Sequence, residues 1–144
     1  MALPSPWLYV ATAEARDREM AERVAVHQRR RGPNWTTIET PRDVAGVLAA
    51  NVNTPALVDC LTLWLSNVLL ADTDVDAEIE HLDDALARAA APIVLVANEV
   101  GSGIVPDNAL ARRFRDAQGR LNQRIAARAD RVVLMVAGLP LVVK

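Results

Sequence analysis

Asp59 closes the apolar run Ala56-Leu57-Val58-Asp59-Cys60. A carboxylate at the end of a buried strand suits a Mg²⁺ that bridges nucleotide phosphates. The same position also suits an Asp that caps the following helix through Thr62 or a nearby backbone N–H. His27 follows a helical pattern and precedes Arg29, Arg30 and Arg31. A neutral imidazole is a competent nucleophile toward phosphorus, and neighbouring guanidiniums can hold phosphates. A lone histidine on the apolar side of a helix is equally a packed or interface residue. Asn98-Glu99-Val100-Gly101-Ser102-Gly103 is a third candidate. Its two glycines permit close approach to a ligand, and they also serve an ordinary strand-to-helix turn. His81 lies in an acidic stretch and reads as a solvated helix residue.

These groups need elements to position them. Trp7 to Thr12 is a short strand pattern preceded by prolines. Ala13 to Arg31 is helical, with Met20, Val24 and His27 on one face, and Gly32-Pro33-Asn34 ends it. Trp35 to Glu39 reads as an edge strand, and Pro41 opens a helix running to about Asn51. Ala56 to Cys60 is a compact strand, and Leu61 to Leu70, apolar nearly all round, is a buried helix. Asp72 to Arg88 is an acidic helix. Ile93 to Ala97, after Pro92, is the clearest buried strand. Asp107 to Ala129 forms the longest helix, with the stripe Leu110, Phe114, Ala117, Leu121 and Ile125. Val132 to Val136 and Leu141 to Val143 close the chain as strands. Strands alternating with helices, each strand apolar on both sides, predict an α/β fold with a mainly parallel sheet covered by helices on both faces. Ligands in such folds gather beyond the carboxyl ends of the strands, where Asp59 and the 98–103 loop fall.

Composition sets the outer bounds. The chain has 144 residues, 51% hydrophobic and 24% charged. That suits one domain, residues 1–144, and excludes disorder or a collagen-like repeat. A net charge of −2 gives no reason to expect nucleic acid or anionic membrane as partner. The single Cys60 excludes an internal disulfide framework and suits a reducing compartment. The sequence shows no apolar run long enough to span a membrane and no secretory signal pattern. A cytoplasmic domain is the expectation. Lysine and arginine together number 16, and Lys144 is the only lysine. Arginines concentrate at 112, 113, 115, 120, 124, 128 and 131, as a phosphate-binding face or as one neutralised by the acidic stretch within the fold or across a subunit contact.

Read together, the segments resemble a known family. One block is Tyr9-Val-Ala-Thr12, then Asp17-x-Glu19-Met20-x-x-Arg23-x-x-x-His27, Trp35 and Glu39. A second is Asp59-Cys-Leu-Thr62 with Asn67-Val-Leu-Leu70. The most specific is Val96-Ala-Asn98-Glu99-Val-Gly101-Ser-Gly103-Ile-Val-Pro106, followed by Arg113-Phe-Arg-Asp116-x-x-Gly119-Arg-x-Asn122-Gln123. This ordered set is similar to the bifunctional adenosylcobinamide kinase / adenosylcobinamide-phosphate guanylyltransferases of cobalamin biosynthesis. The resemblance implies a P-loop NTPase-like (RecA-like) fold, commonly assembled as a homo-trimer. It implies phosphorylation of adenosylcobinamide with ATP or GTP, then transfer of GMP from GTP through a covalent guanylyl-histidine, with Mg²⁺ as cofactor. By position it makes His27 the guanylylated nucleophile and Asp59 the acidic residue near the metal. Asn98, Glu99, Gly101, Gly103, Arg29 and Arg30 fall in the nucleotide-binding set.

The sequence departs from that family in one respect. Members begin with a strand, a loop ending Gly-Lys-Ser, and a helix, roughly the size of one strand–loop–helix unit. No GxxxxGK[ST] occurs in this chain. The expectation is a domain missing that unit, with impaired triphosphate binding and an open central sheet position. A start set too far downstream explains this best, ahead of a shortened chain or a non-catalytic remnant or assembly subunit.

Overall fold

The structure is a computed structural model that describes residues 5–14, 18, 19, 22, 25, 26 and 32–144. Contacts divide the chain into two compact units, Met1–Asn98 and Glu99–Lys144. Each is described by itself.

The first unit holds four strands: β1 (Trp7–Ala11), β2 (Trp35–Glu39), β3 (Ala56–Asp59) and β4 (Ile93–Val96). They form one parallel sheet in the order β2-β1-β3-β4. β3 pairs directly with β4, Asp59 lying opposite Val96, and the far side of β4 has no strand partner among the described residues. One face is apolar at its centre: Leu8 and Val10 of β1 are buried beside Ala56 and Val58 of β3. The other face carries Trp7, Tyr9, Leu57 and Asp59, of which only Tyr9 is buried. β4 corrects the sequence reading of a strand buried on both sides. Its Val94 is 59% exposed and Val96 39%, on the face where Leu57 and Asp59 of β3 are also only half-buried, so that face has little cover among the described residues.

Three labelled helices belong to this unit: α1 (Val44–Ala50), α2 (Leu61–Leu70) and α3 (Val75–Ala87). α1 begins after Pro41 rather than at it. The Asp43 carboxylate accepts from the Gly46 N–H at 2.9 Å, which makes Asp43 the N-cap. A Cβ on residue 46 would press on that carboxylate as it now sits, so a larger residue there would make the Asp43 side chain shift. α2 has the limits its apolar pattern predicts, and Leu61, Trp64, Leu65 and Val68 are almost fully buried. Burial of one such side chain is worth about 1.5–3 kcal/mol. α3 is capped by Asp74, whose carboxylate accepts from the Asp76 and Ala77 amides at 3.1 Å. It packs against α1 and α2. Before α1, the described residues Arg18, Glu19, Glu22, Ala25 and Val26 are helical, as the pattern predicts.

The second unit comprises α4 (Ala109–Arg128) and the strands β5 (Val133–Val136) and β6 (Leu139–Val142). Asn108 caps α4 through the Ala111 N–H. Ala117, Gln118 and Leu121 are its buried residues, whereas Leu110, expected in the stripe, is half exposed. β5 and β6 form an antiparallel hairpin, Val133 opposite Val142. Its two-residue turn has φ 51° at Ala137 and 78° at Gly138, the left-handed pair that a tight hairpin needs. Lys144 Nζ donates to the carbonyls of Ala126 and Ala127, filling acceptors in the last turn of α4.

Candidate active site at the carboxyl end of the sheet

Asp59 is the last residue of β3, an interior strand of the parallel sheet. Its in-register neighbour on β1 is Ala11, and Tyr9 lies two residues back on the same face. A tyrosine spans that diagonal easily. The Tyr9 hydroxyl donates to Asp59 Oδ2. The Tyr9 ring is itself fixed, edge-to-face against Trp35 at 6.0 Å, and Trp35 packs likewise on Trp7 at 5.3 Å. Asp59 is half-buried, and no hydrogen bond from a described residue is recorded at its Oδ1.

The helix-capping role is not the one this carboxylate takes. The N-cap of α2 is Cys60, with no side-chain cap bond, and Thr62 is engaged elsewhere. Thr62 Oγ1 accepts from the Asn98 N–H at 2.8 Å. That bond fastens the chain leaving β4 to the first turn of α2. Asp59 and Asn98 therefore end neighbouring strands at one edge of the sheet.

Behind them lies a buried polar clamp. Thr12 Oγ1 donates to the Cys60 carbonyl at 2.7 Å, and the Cys60 N–H donates back at 2.8 Å. Asn67 Nδ2 donates to the carbonyls of Thr12 and Pro41. Trp64 Nε1 donates to the Arg42 carbonyl at 2.7 Å. These bonds satisfy backbone groups where β1 and β3 end, and so fix the segment carrying Asp59.

Within the second unit, the loop after Asn98 is tied to α4. Asn122 Nδ2 donates to Glu99 Oε1 at 2.9 Å, and Gln118 Nε2 donates to Asn122 Oδ1 at 2.8 Å. Arg115 donates to the Gly101 carbonyl, and Arg112 to the carbonyls of Pro106 and Asp107. Two arginines of the basic helix thus secure backbone. Neither Gly101 nor Gly103 has positive φ, and an added Cβ would meet nothing within 4 Å at either. Packing against the described residues does not demand glycine at these two positions.

His27, Arg29 and Arg30 lie outside the described residues. Tyr9 in the first unit and Asn122 in the second stand in the quoted motifs without an assigned task, whereas Thr62 was expected as a capping partner and Arg115 in a basic face. The spacing of Arg115 and Asn122, one face of a helix at i and i+7, is the signal available for that pair. A separate open cleft of about 280 Å³ runs between α1 and α3, lined by Asp43, Gly46, His81, Asp84 and Arg88 among others. Its lining is helical and includes none of the strand-end candidates.

The donor set at Asp59 suits one kind of metal. Among the described residues no group of three or more His, Cys, Asp or Glu could hold an ion. A single open carboxylate oxygen fits Mg²⁺, which keeps waters and binds through one or two carboxylates plus phosphates. It does not fit a four-ligand zinc centre. Among the described residues no helix is long and apolar enough to cross a membrane.

Comparison with known proteins agrees with this architecture. A family model described as CobU, cobinamide kinase / cobinamide phosphate guanyltransferase, matches residues 1–143. The bifunctional adenosylcobalamin biosynthesis protein CobP of Pseudomonas aeruginosa is 46% identical over 140 residues, covering 94% of this chain and 81% of the relative. The bifunctional adenosylcobalamin biosynthesis protein CobU of Salmonella typhimurium is 40% identical over 154 residues, covering 95% and 85%. Its namesake in Escherichia coli is 39% identical with the same coverage. A parallel α/β sheet whose carboxyl edge presents Asp59 and Asn98, together with a match from end to end, places this chain in the cobinamide kinase / cobinamide phosphate guanyltransferase family.

Proposed function

We propose that this chain acts in cobalamin biosynthesis as a nucleotide-dependent transferase with two steps. The first phosphorylates the aminopropanol hydroxyl of adenosylcobinamide with ATP or GTP. The second moves GMP from GTP onto that phosphate. What supports the reading is the Asp59 carboxylate, held by Tyr9 at the end of β3 with no hydrogen bond from a described residue at its other oxygen, in a chain of this family.

In the second step His27 is the nucleophile. An imidazole nitrogen forms a P–N bond to the α-phosphorus of GTP as the bond to pyrophosphate breaks and pyrophosphate leaves. A phosphate oxygen of the cobinamide substrate then attacks the same phosphorus, the P–N bond breaks, and the imidazole is restored. One displacement between two anionic phosphates becomes two separate ones. Arg29 and Arg30 offset phosphate charge and orient the chain of phosphates. Asp59 would hold Mg²⁺ through its open oxygen, and that ion supplies charge neutralisation at the transferring group. Asn98, Glu99, Gly101 and Gly103 belong to the nucleotide-binding loop. The two glycines, unneeded for packing, leave room for close ligand approach. A homo-trimer in the cytoplasm is the corresponding assembly.

One observation favours a second reading, a non-catalytic assembly subunit of the same fold. The only lysine, Lys144, is held by the Ala126 and Ala127 carbonyls at the end of α4 and so is not offered to a phosphate. Isothermal calorimetry of the chain with GTP separates the two. The enzyme reading expects saturable binding that strengthens with Mg²⁺. A folded oligomer that takes up no GTP would leave the second reading standing.

A further inference from the structure

We infer that Tyr9 is a positioning residue for magnesium: its hydroxyl occupies Asp59 Oδ2 and thereby presents Oδ1 as a one-oxygen ligand. The inference rests on the proposal that Asp59 holds the metal. A carboxylate on a strand end rotates about its side-chain torsions, and it can offer a cation either one oxygen or both. Mg²⁺ demands near-ideal octahedral geometry and suits a single oxygen from each carboxylate. Here the choice is made by a neighbour on β1. Tyr9 and Asp59 project from the same face of the sheet, and the Tyr9 hydroxyl donates to Oδ2.

The Tyr9 side chain is well suited to this task. It is 7% exposed, and Trp35 stacks edge-on against its ring, itself backed by Trp7. Only the hydroxyl tip has polar work to do, and the ring cannot swing away without breaking that aromatic row. Asp59 is half-buried, and among the described residues no hydrogen bond reaches its Oδ1. Partners of this kind around a metal ligand typically govern affinity by 10- to 100-fold.

The test uses Mn²⁺ as a spectroscopic substitute for Mg²⁺, measured by electron paramagnetic resonance in the presence of GTP. The wild-type chain, Tyr9→Phe and Asp59→Asn are compared, with GTP affinity in EDTA measured alongside. Tyr9→Phe keeps the ring and its contact with Trp35, so a role in packing alone leaves Mn²⁺ affinity unchanged. The expected result is a loss of Mn²⁺ affinity of about 10- to 100-fold in Tyr9→Phe, with metal-free GTP affinity unaltered. A normal Mn²⁺ affinity in Tyr9→Phe beside a weakened Asp59→Asn would overturn the positioning role while leaving Asp59 as ligand. Equal affinity in wild type and Asp59→Asn, or no Mn²⁺ uptake by either, would remove the metal role of Asp59 and this inference with it. Should Tyr9→Phe melt early, the double variant read below every melting midpoint keeps the same outcomes: additive losses contradict coupling, and non-additive losses support it.

Discussion

Thr12 has no charge and no reactivity, yet it holds the segment that carries the candidate chemistry. It is fully buried, and its hydroxyl both donates to and accepts from the backbone of Cys60, the residue after Asp59. Thr12→Val keeps the shape and removes both bonds, leaving a buried N–H and a buried carbonyl without that partner. The expected cost is about 1–3 kcal/mol, read as a lower urea midpoint with an unchanged slope. Asp59 itself was legible in the sequence, because a carboxylate ending an apolar run marks a strand terminus. Its partner was not. Tyr9 is 50 residues away along the chain, and only the parallel register of β1 and β3 brings the two side chains onto one face. Thr62 was read as a possible capping partner of Asp59, but its hydroxyl is taken by the Asn98 amide.

At the level of elements, the sequence was most informative where one force acts alone. α2 is apolar all round and begins and ends where its pattern does. α1 starts later than Pro41 because the Asp43 carboxylate satisfies a first-turn amide, and local capping outweighs the preset φ of proline. β4 reads as doubly buried because Ile-Val-Leu-Val carries no polar mark, but the face it shares with Leu57 and Asp59 has little cover, and Val94 and Val96 are exposed there. Hydrophobicity reports that a strand wants cover, and topology decides whether it gets it. The closing strands were legible as strands, whereas their antiparallel pairing depends on the turn at Ala137-Gly138. Capping also yields a direct test. Asp74 takes two first-turn amides of α3, a helix that packs on both α1 and α2. Asp74→Ala should lower stability by about 0.5–2 kcal/mol, seen as a downward shift in the circular-dichroism melt.

For the molecule as a whole, length, charge and hydropathy define an α/β chain and go no further. Family membership rests on an ordered series of short motifs that match from residue 1 to residue 143. The relatives bring a bifunctional enzyme into view, and the geometry supplies a strand-end carboxylate, a tethered loop and an arginine-fastened helix. The nucleophile assigned to GMP transfer, His27, is the residue on which the account turns. Incubation of the chain with GTP and Mg²⁺, followed by peptide mass spectrometry, addresses it directly. The account predicts GMP attached to His27, and none in His27→Ala. No adduct once the chain is joined to the family's strand, Gly-Lys-Ser loop and helix, or an undiminished adduct in His27→Ala, would contradict it.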